Sequence, residues 1–217
     1  MTAPRPRGAH RSRDLAKRAT RDALLDAGLL EFAEHGLDTP SLDAICARAG
    51  YTRGAFYVHF RDRDDFLVAV AERALGRFVD AVIATGDQAH DLERSVTRFM
   101  TVVASAAAAD ARGRRRSGPL AGLQVHRLLE ACARSDTIRT RVVGLVQVAV
   151  GRVAQAAAAG QSAHAVRRDV DPQQVAMVLV GAAIGILTAN EIGMPIDFEA
   201  GRNTVLSMLA APRASSR

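Results

Sequence analysis

The twenty residues from Ser41 to Phe60 constrain this chain more than any other stretch. They hold two apolar patterns, each too short to be a stable helix alone, divided by one glycine. After Pro40, Ser41 can cap a helix in which Leu42, Ile45 and Ala49 make a short stripe, with Asp43 favourably near the positive end. Gly50 closes that helix. Tyr51 forms the turn, Thr52 can cap the next helix, and Phe56 and Phe60 share its inner face one turn apart. Arg53 and Tyr57 stay on its outer face.

Helical spacing recurs on both sides, and alternating β-branched runs between turn residues are nearly absent, so the expected fold class is all-α. From about Leu15 to His35, Leu25, Leu29 and Phe32 recur at helical intervals with Leu24 and Gly28 beside them, and Gly36 ends the helix. Asp62 caps a long helix with Asp64 and Asp65 in its first turn and Phe66, Val70, Ala74 and Phe78 as its buried row, running to about Ala84. Further helices are expected over 91–109, from Pro119, from a cap at Asp136 to about Ala159, from Asp171-Pro172 to Asn190, and over 198–210. The organisation expected is a basic disordered arm over 1–14, a small three-helix head over 15–62, a helical bundle over 63–211 and a disordered tail over 212–217.

Charge is distributed unevenly. The first twenty-one residues hold seven bases and one acid, which accounts for the whole formal net charge of +6. A basic arm on a neutral body suits a polyanion, because neutralising phosphates releases condensed counterions; a solvated tail is the plainer reading. Two cysteines, Cys46 and Cys132, are too few for a disulfide framework and point to a reducing compartment. The longest nearly apolar run, Val175 to Ala189, is 15 residues, short for a bilayer. A soluble, cytoplasmic protein with no membrane partner is expected.

Two short helices around a tight turn make a helix-turn-helix, whose second helix enters the major groove of double-stranded DNA. Gly54 lets that helix's backbone approach closely, and Arg53 presents a planar fork suited to guanine or phosphate. Thr20-Arg21, Phe32-Ala33-Glu34-His35-Gly36, Ser41-Leu42, Ile45, Ala49 through Phe60, and Phe66-Leu67 together resemble the amino-terminal domain of the TetR family of transcriptional regulators, over about 50 residues. The resemblance implies that Arg53 contacts base or phosphate, that Thr52 and Gly54 lie against the duplex, and that Tyr57 and His59 donate to phosphates. Arg63 would add a phosphate contact, with Ser41 and Arg21 at the same surface. Phe56 and Phe60 would be core. Tyr51 and Cys46 depart from the family, which often has a smaller aliphatic residue and an alanine there.

The resemblance further implies a homodimer whose bundle encloses a pocket for a small-molecule effector. Candidate lining residues are Phe99, Met100, Val103, Leu123, His126 and Met177, although apolar helix positions are usually plain core. The segment Arg112 to Arg116 is either a solvated loop or a site for an acidic effector. The helix from Asp171 to Asn190 is apolar almost all round, so it must be covered on every side. With Gly181 and Gly185 four apart, Val178, and Val146 on the preceding helix, it is the expected dimer interface. His126, Cys132 and His164 lack metal-ligand spacing, and no nucleophile elbow, phosphate loop or HExxH pattern stands in context, so no metal, cofactor or catalysis is expected. The function expected is a dimeric repressor released from a palindromic operator by an apolar or amphipathic ligand. An activator or ligand-insensitive regulator, or an enzyme or carrier built on the bundle, are the alternatives.

Overall fold

The computed structural model describes residues 7–83, 91–108 and 124–211, and side chains within these except those of 7–11 and 106–108. Leu123 and the Arg112 to Arg116 segment lie outside the described residues. Among those described, nine helices form and no strand; Val166 and Ala210 make one isolated antiparallel bridge.

The first helix, α1 (Arg7–His35), starts eight residues before the expected Leu15, so residues 7–14 of the anticipated arm are helical. Arg, Lys, Ala and Leu are good helix formers, but residues 12–19 are exposed all round and carry no apolar period to announce the helix. Gly36, at φ +80°, ends it with its N–H donating to the Phe32 carbonyl at 3.0 Å. Helix α2 (Leu42–Ala49) begins where the Ser41 hydroxyl accepts from the Ala44 N–H at 3.1 Å and ends at Gly50, φ +76°. That left-handed turn lets the Gly50 and Tyr51 N–H groups bond back to the carbonyls of Ala47 and Cys46. Helix α3 (Arg53–Tyr57) is capped by Thr52, and α4 (Arg63–Val82) by Asp62, whose carboxylate accepts from the Asp65 N–H at 2.7 Å.

Helices α5 (Leu92–Ala108), α6 (Val125–Arg134), α7 (Asp136–Ser162), α8 (Pro172–Glu191) and α9 (Phe198–Leu209) build the bundle. Ser135 rather than Asp136 caps α7, its hydroxyl accepting from the Ile138 N–H; Asp136 occupies the first turn instead.

One core runs from the head into the bundle. Its head portion is a cluster of four rings, Phe32, Phe56, Phe60 and Phe66, with neighbouring centroids 4.9–6.1 Å apart. Gly28 makes room for this cluster: a Cβ there would lie 2.5 Å from Phe66 Cζ. A smaller cluster, Val150, Ala154 and Ala176, binds α7 to α8. Polar ties fasten head to body: Arg73 reaches Asp22 and Asp26, Arg141 meets Asp65 at 2.6 Å, and Arg134 meets Asp38 at 3.3 Å.

Two helices, α7 and α8, are long and apolar enough by length and composition to cross a membrane. The expectation that no segment reaches that length counted one uninterrupted run and overlooked that isolated polar residues still leave a hydrophobic helix. Most of each apolar window lies outside the interior, with Val143, Val148, Met177 and Val178 at least half exposed.

Candidate nucleic-acid interface

The ring cluster fixes the roll of α3. With Phe56 buried completely beneath it, the opposite face must point outward, and Arg53 and Tyr57 are each more than half exposed. Thr52 and Gly54 are exposed beside them. Arg53 Nε lies 3.5 Å from Asp43 on α2, a surface pair that holds the guanidinium loosely and leaves it available for a stronger anion. At Gly54 an added Cβ would meet nothing closer than Thr52 Oγ1 at 3.6 Å, so the fold itself does not require glycine there.

His59 follows α3 and is partly buried. Burial first, then the nearby positive charges of Lys17 and Arg21, push its imidazole below the ordinary histidine range. The ring is therefore neutral at physiological pH and offers one N–H donor. Arg21 lies over the Phe60 ring, 5.5 Å from its centroid, so the aromatic core holds it in place by a cation–π contact. The early turns of α1 thus bring positive charge to the end of α3. Lys17 was not among the expected site residues; stepping back one helical turn from Arg21 finds it.

Two expected contacts have other duties. Arg63 donates to the carbonyls of Pro40 and Leu37, each at 2.6 Å, and so straps the α1–α2 loop to the start of α4. In this structure two arms of the guanidinium are engaged by carbonyls, a structural duty beside the phosphate contact expected of it. Ser41 is exposed, but its oxygen serves as the α2 cap. Arg48, overlooked from sequence, bridges α2 to Glu31 and Glu34 of α1 and sets the angle between them. Cys46 is buried in α2, and burial pushes its thiol upward, away from the reactive thiolate.

Residues 24–70 match the family model of the bacterial regulatory proteins of the tetR family. The match is confined to the amino-terminal domain, which is similar to that of TetR-family regulators. The chain is 39% identical over 59 residues to the uncharacterized HTH-type transcriptional regulator YwcC of Bacillus subtilis, and 42% identical over 55 residues to the HTH-type transcriptional repressor BepR of Brucella suis. These matches take in 27% and 25% of this chain and 26% of each relative, so the chain spans about a quarter of the curated relatives' length. Over the whole fold it is similar to reduced NemR of Escherichia coli, with a TM-score of 0.71 at 21% identity, covering 90% of this chain and 99% of that one. SmeT, the repressor of the Stenotrophomonas maltophilia multidrug efflux pump SmeDEF, gives 0.58 at 25% identity, covering 91% and 93%.

The body contains an apolar cavity of about 230 Å³ lined by residues of α4 to α9. Of the residues expected to line it, Phe99 does. Met100 and Val103 are buried in core beside it, and Met177 faces outward, more than half exposed. His126 turns its Nδ1 to Glu191, 2.7 Å away, whose carboxylate also accepts from the Val125 and His126 N–H groups and closes the first turn of α6. The walls also include Leu75, Phe78, Val142, Leu145, Leu179 and Leu187, of which the sequence pointed only to Phe78, and to that as core. A second stripe on α4, in which Ala71, Leu75, Phe78 and Val82 fall at helical spacing, was the available signal.

On the outer surface of α8, Gly181 and Gly185 are exposed, with no atom within 4 Å of an added Cβ, and Val178 is 60% exposed. Val146 points the other way, lining the cavity and packing against the Val150 cluster. Among the described residues no group of three His, Cys, Asp or Glu side chains gathers to hold a metal.

Proposed function

We propose that this chain is a homodimeric DNA-binding transcriptional regulator whose hold on its operator is governed by an apolar small molecule. The observation that carries the reading is the outward face of α3. Arg53, Tyr57, Thr52 and Gly54 stand clear of a helix locked by buried Phe56, with Lys17, Arg21 and His59 alongside. Such a face puts base-reading and phosphate-contacting groups on one element while the core bears the orientation. The outward apolar surface of α7 and α8 supports the dimer, since Val143, Val148, Met177 and Val178 gain most by burial against a second copy. The cavity abuts α4, whose first turn joins the head, so an occupant that shifts α4 changes the spacing of two heads. BepR, a repressor by name and similar over the head, favours repression as the sign.

The test is selection of genomic fragments by the purified protein, followed by footprinting. Two symmetric half-sites with centres about 34–36 Å apart, or a multiple of that spacing, are expected. No protected fragment at physiological salt refutes the reading. Transcripts that fall, rather than rise, on deleting the gene make it an activator.

A further inference from the structure

The described residues that line the cavity carry no charged side chain, and Ser95 contributes their one hydroxyl. No buried side-chain nitrogen or oxygen among the described residues lacks a partner, so no polar group waits there for a ligand to satisfy it. Glu191, the carboxylate next to lining residue Val125, is already committed to the first turn of α6 and to His126. A charged ligand buried here would lose its hydration and gain no counterion from the described residues, a cost that apolar contact does not offset. The shape is equally restrictive. Lining positions on α7 run from Val142 to Gly160, about 27 Å along the helix axis, around a space of only about 230 Å³. A dry apolar cavity of roughly 150 Å³ accepts one benzene, so this one accommodates about nine or ten heavy atoms, drawn out along α7 rather than gathered into a ball.

We propose that the cavity selects an uncharged, slender aliphatic molecule of about ten carbons, bearing at most a hydroxyl, over charged amphiphiles and compact ring systems of the same size. The inference rests on reading the cavity as the effector site, but its test needs no DNA. Binding of decanol, decanoate, decylammonium and adamantanol to the purified full chain is followed by isothermal titration calorimetry. Decanol is expected to bind at least about tenfold more tightly than each of the others. Ala156→Phe, which fills the lumen from α7, is expected to weaken decanol binding by at least about tenfold with helicity retained. Ala157→Leu, a smaller fill at the neighbouring lining position, serves if the first variant fails to fold. Decanoate, decylammonium or adamantanol matching decanol overturns the inference, as does failure of decanol to bind, or a folded filled variant that binds it unchanged. A protein that takes decanol but protects no DNA sinks the regulator and keeps this cavity assignment; one that protects DNA and ignores decanol does the reverse.

Discussion

Replacing Arg63 with alanine separates a DNA contact from a structural strap. In the fold its guanidinium donates to the carbonyls of Leu37 and Pro40, both at 2.6 Å, across the loop that sets α2 against α4. A hydrogen bond with one charged partner contributes about 1.5–3 kcal/mol. Water replaces part of two such bonds at a half-exposed site, so about 2 kcal/mol is the expected loss for Arg63→Ala. At this chain length that lowers the melting midpoint by about 4–8 °C. Thermal unfolding followed by circular dichroism reads this directly. The second readout is the salt dependence of DNA affinity, whose logarithmic slope falls by about 0.9 for each phosphate contact removed, hence about 1.8 for a dimer. The strap assignment predicts a clear fall in melting midpoint with the slope unchanged for the folded fraction. An unchanged midpoint with a slope reduced by nearly two returns Arg63 to the DNA surface and refutes the reasoning. Arg63→Lys, which reaches one carbonyl but cannot fork to both, is expected to fall between wild type and alanine.

Other expectations follow from single contacts. Gly28→Ala drives a methyl group to within 2.5 Å of Phe66 and is expected to cost about 1–3 kcal/mol, read by denaturant titration; a neutral result means that the ring cluster yields easily. Lys17→Ala is expected to leave stability untouched and to lower the salt slope by about 1.8 per dimer, whereas an unchanged slope removes α1 from the interface. Because burial and its basic neighbours hold His59 below its unfolded value of about 6.5, the unfolded chain binds the extra proton more readily. Stability is therefore expected to fall as pH drops from about 6.5 through the lowered folded value, and His59→Gln should flatten that slope.

The head was readable because its signals are local. Ser41 and Thr52 are caps that bond three residues on, Gly50 adopts the left-handed turn its position demands, and Phe56 and Phe60 lie one turn apart on a face that has to be buried. What escaped depends on who meets whom in space. Arg63 sits where a phosphate contact is plausible, yet the Leu37 and Pro40 carbonyls that claim it belong to a loop more than twenty residues away. Residues 12–19 of α1 are exposed all round and therefore have no period to read. In the bundle, Met177 and Leu179 are both apolar residues on one apolar helix, and composition cannot say that Leu179 lines the cavity while Met177 faces outward. Val146 was expected outside with Val178 and lies inside for the same reason.

The central claim is that the exposed face of α3 reads DNA. Footprinting of genomic fragments retained by the wild-type dimer, repeated with Arg53→Ala, tests it most directly. Two symmetric protected half-sites are predicted, with the variant dimeric, fully helical and weakened by about 1–3 kcal/mol, or roughly fivefold to 150-fold. A fragment protected equally well by a folded Arg53→Ala variant, or no protection by either protein, contradicts the account.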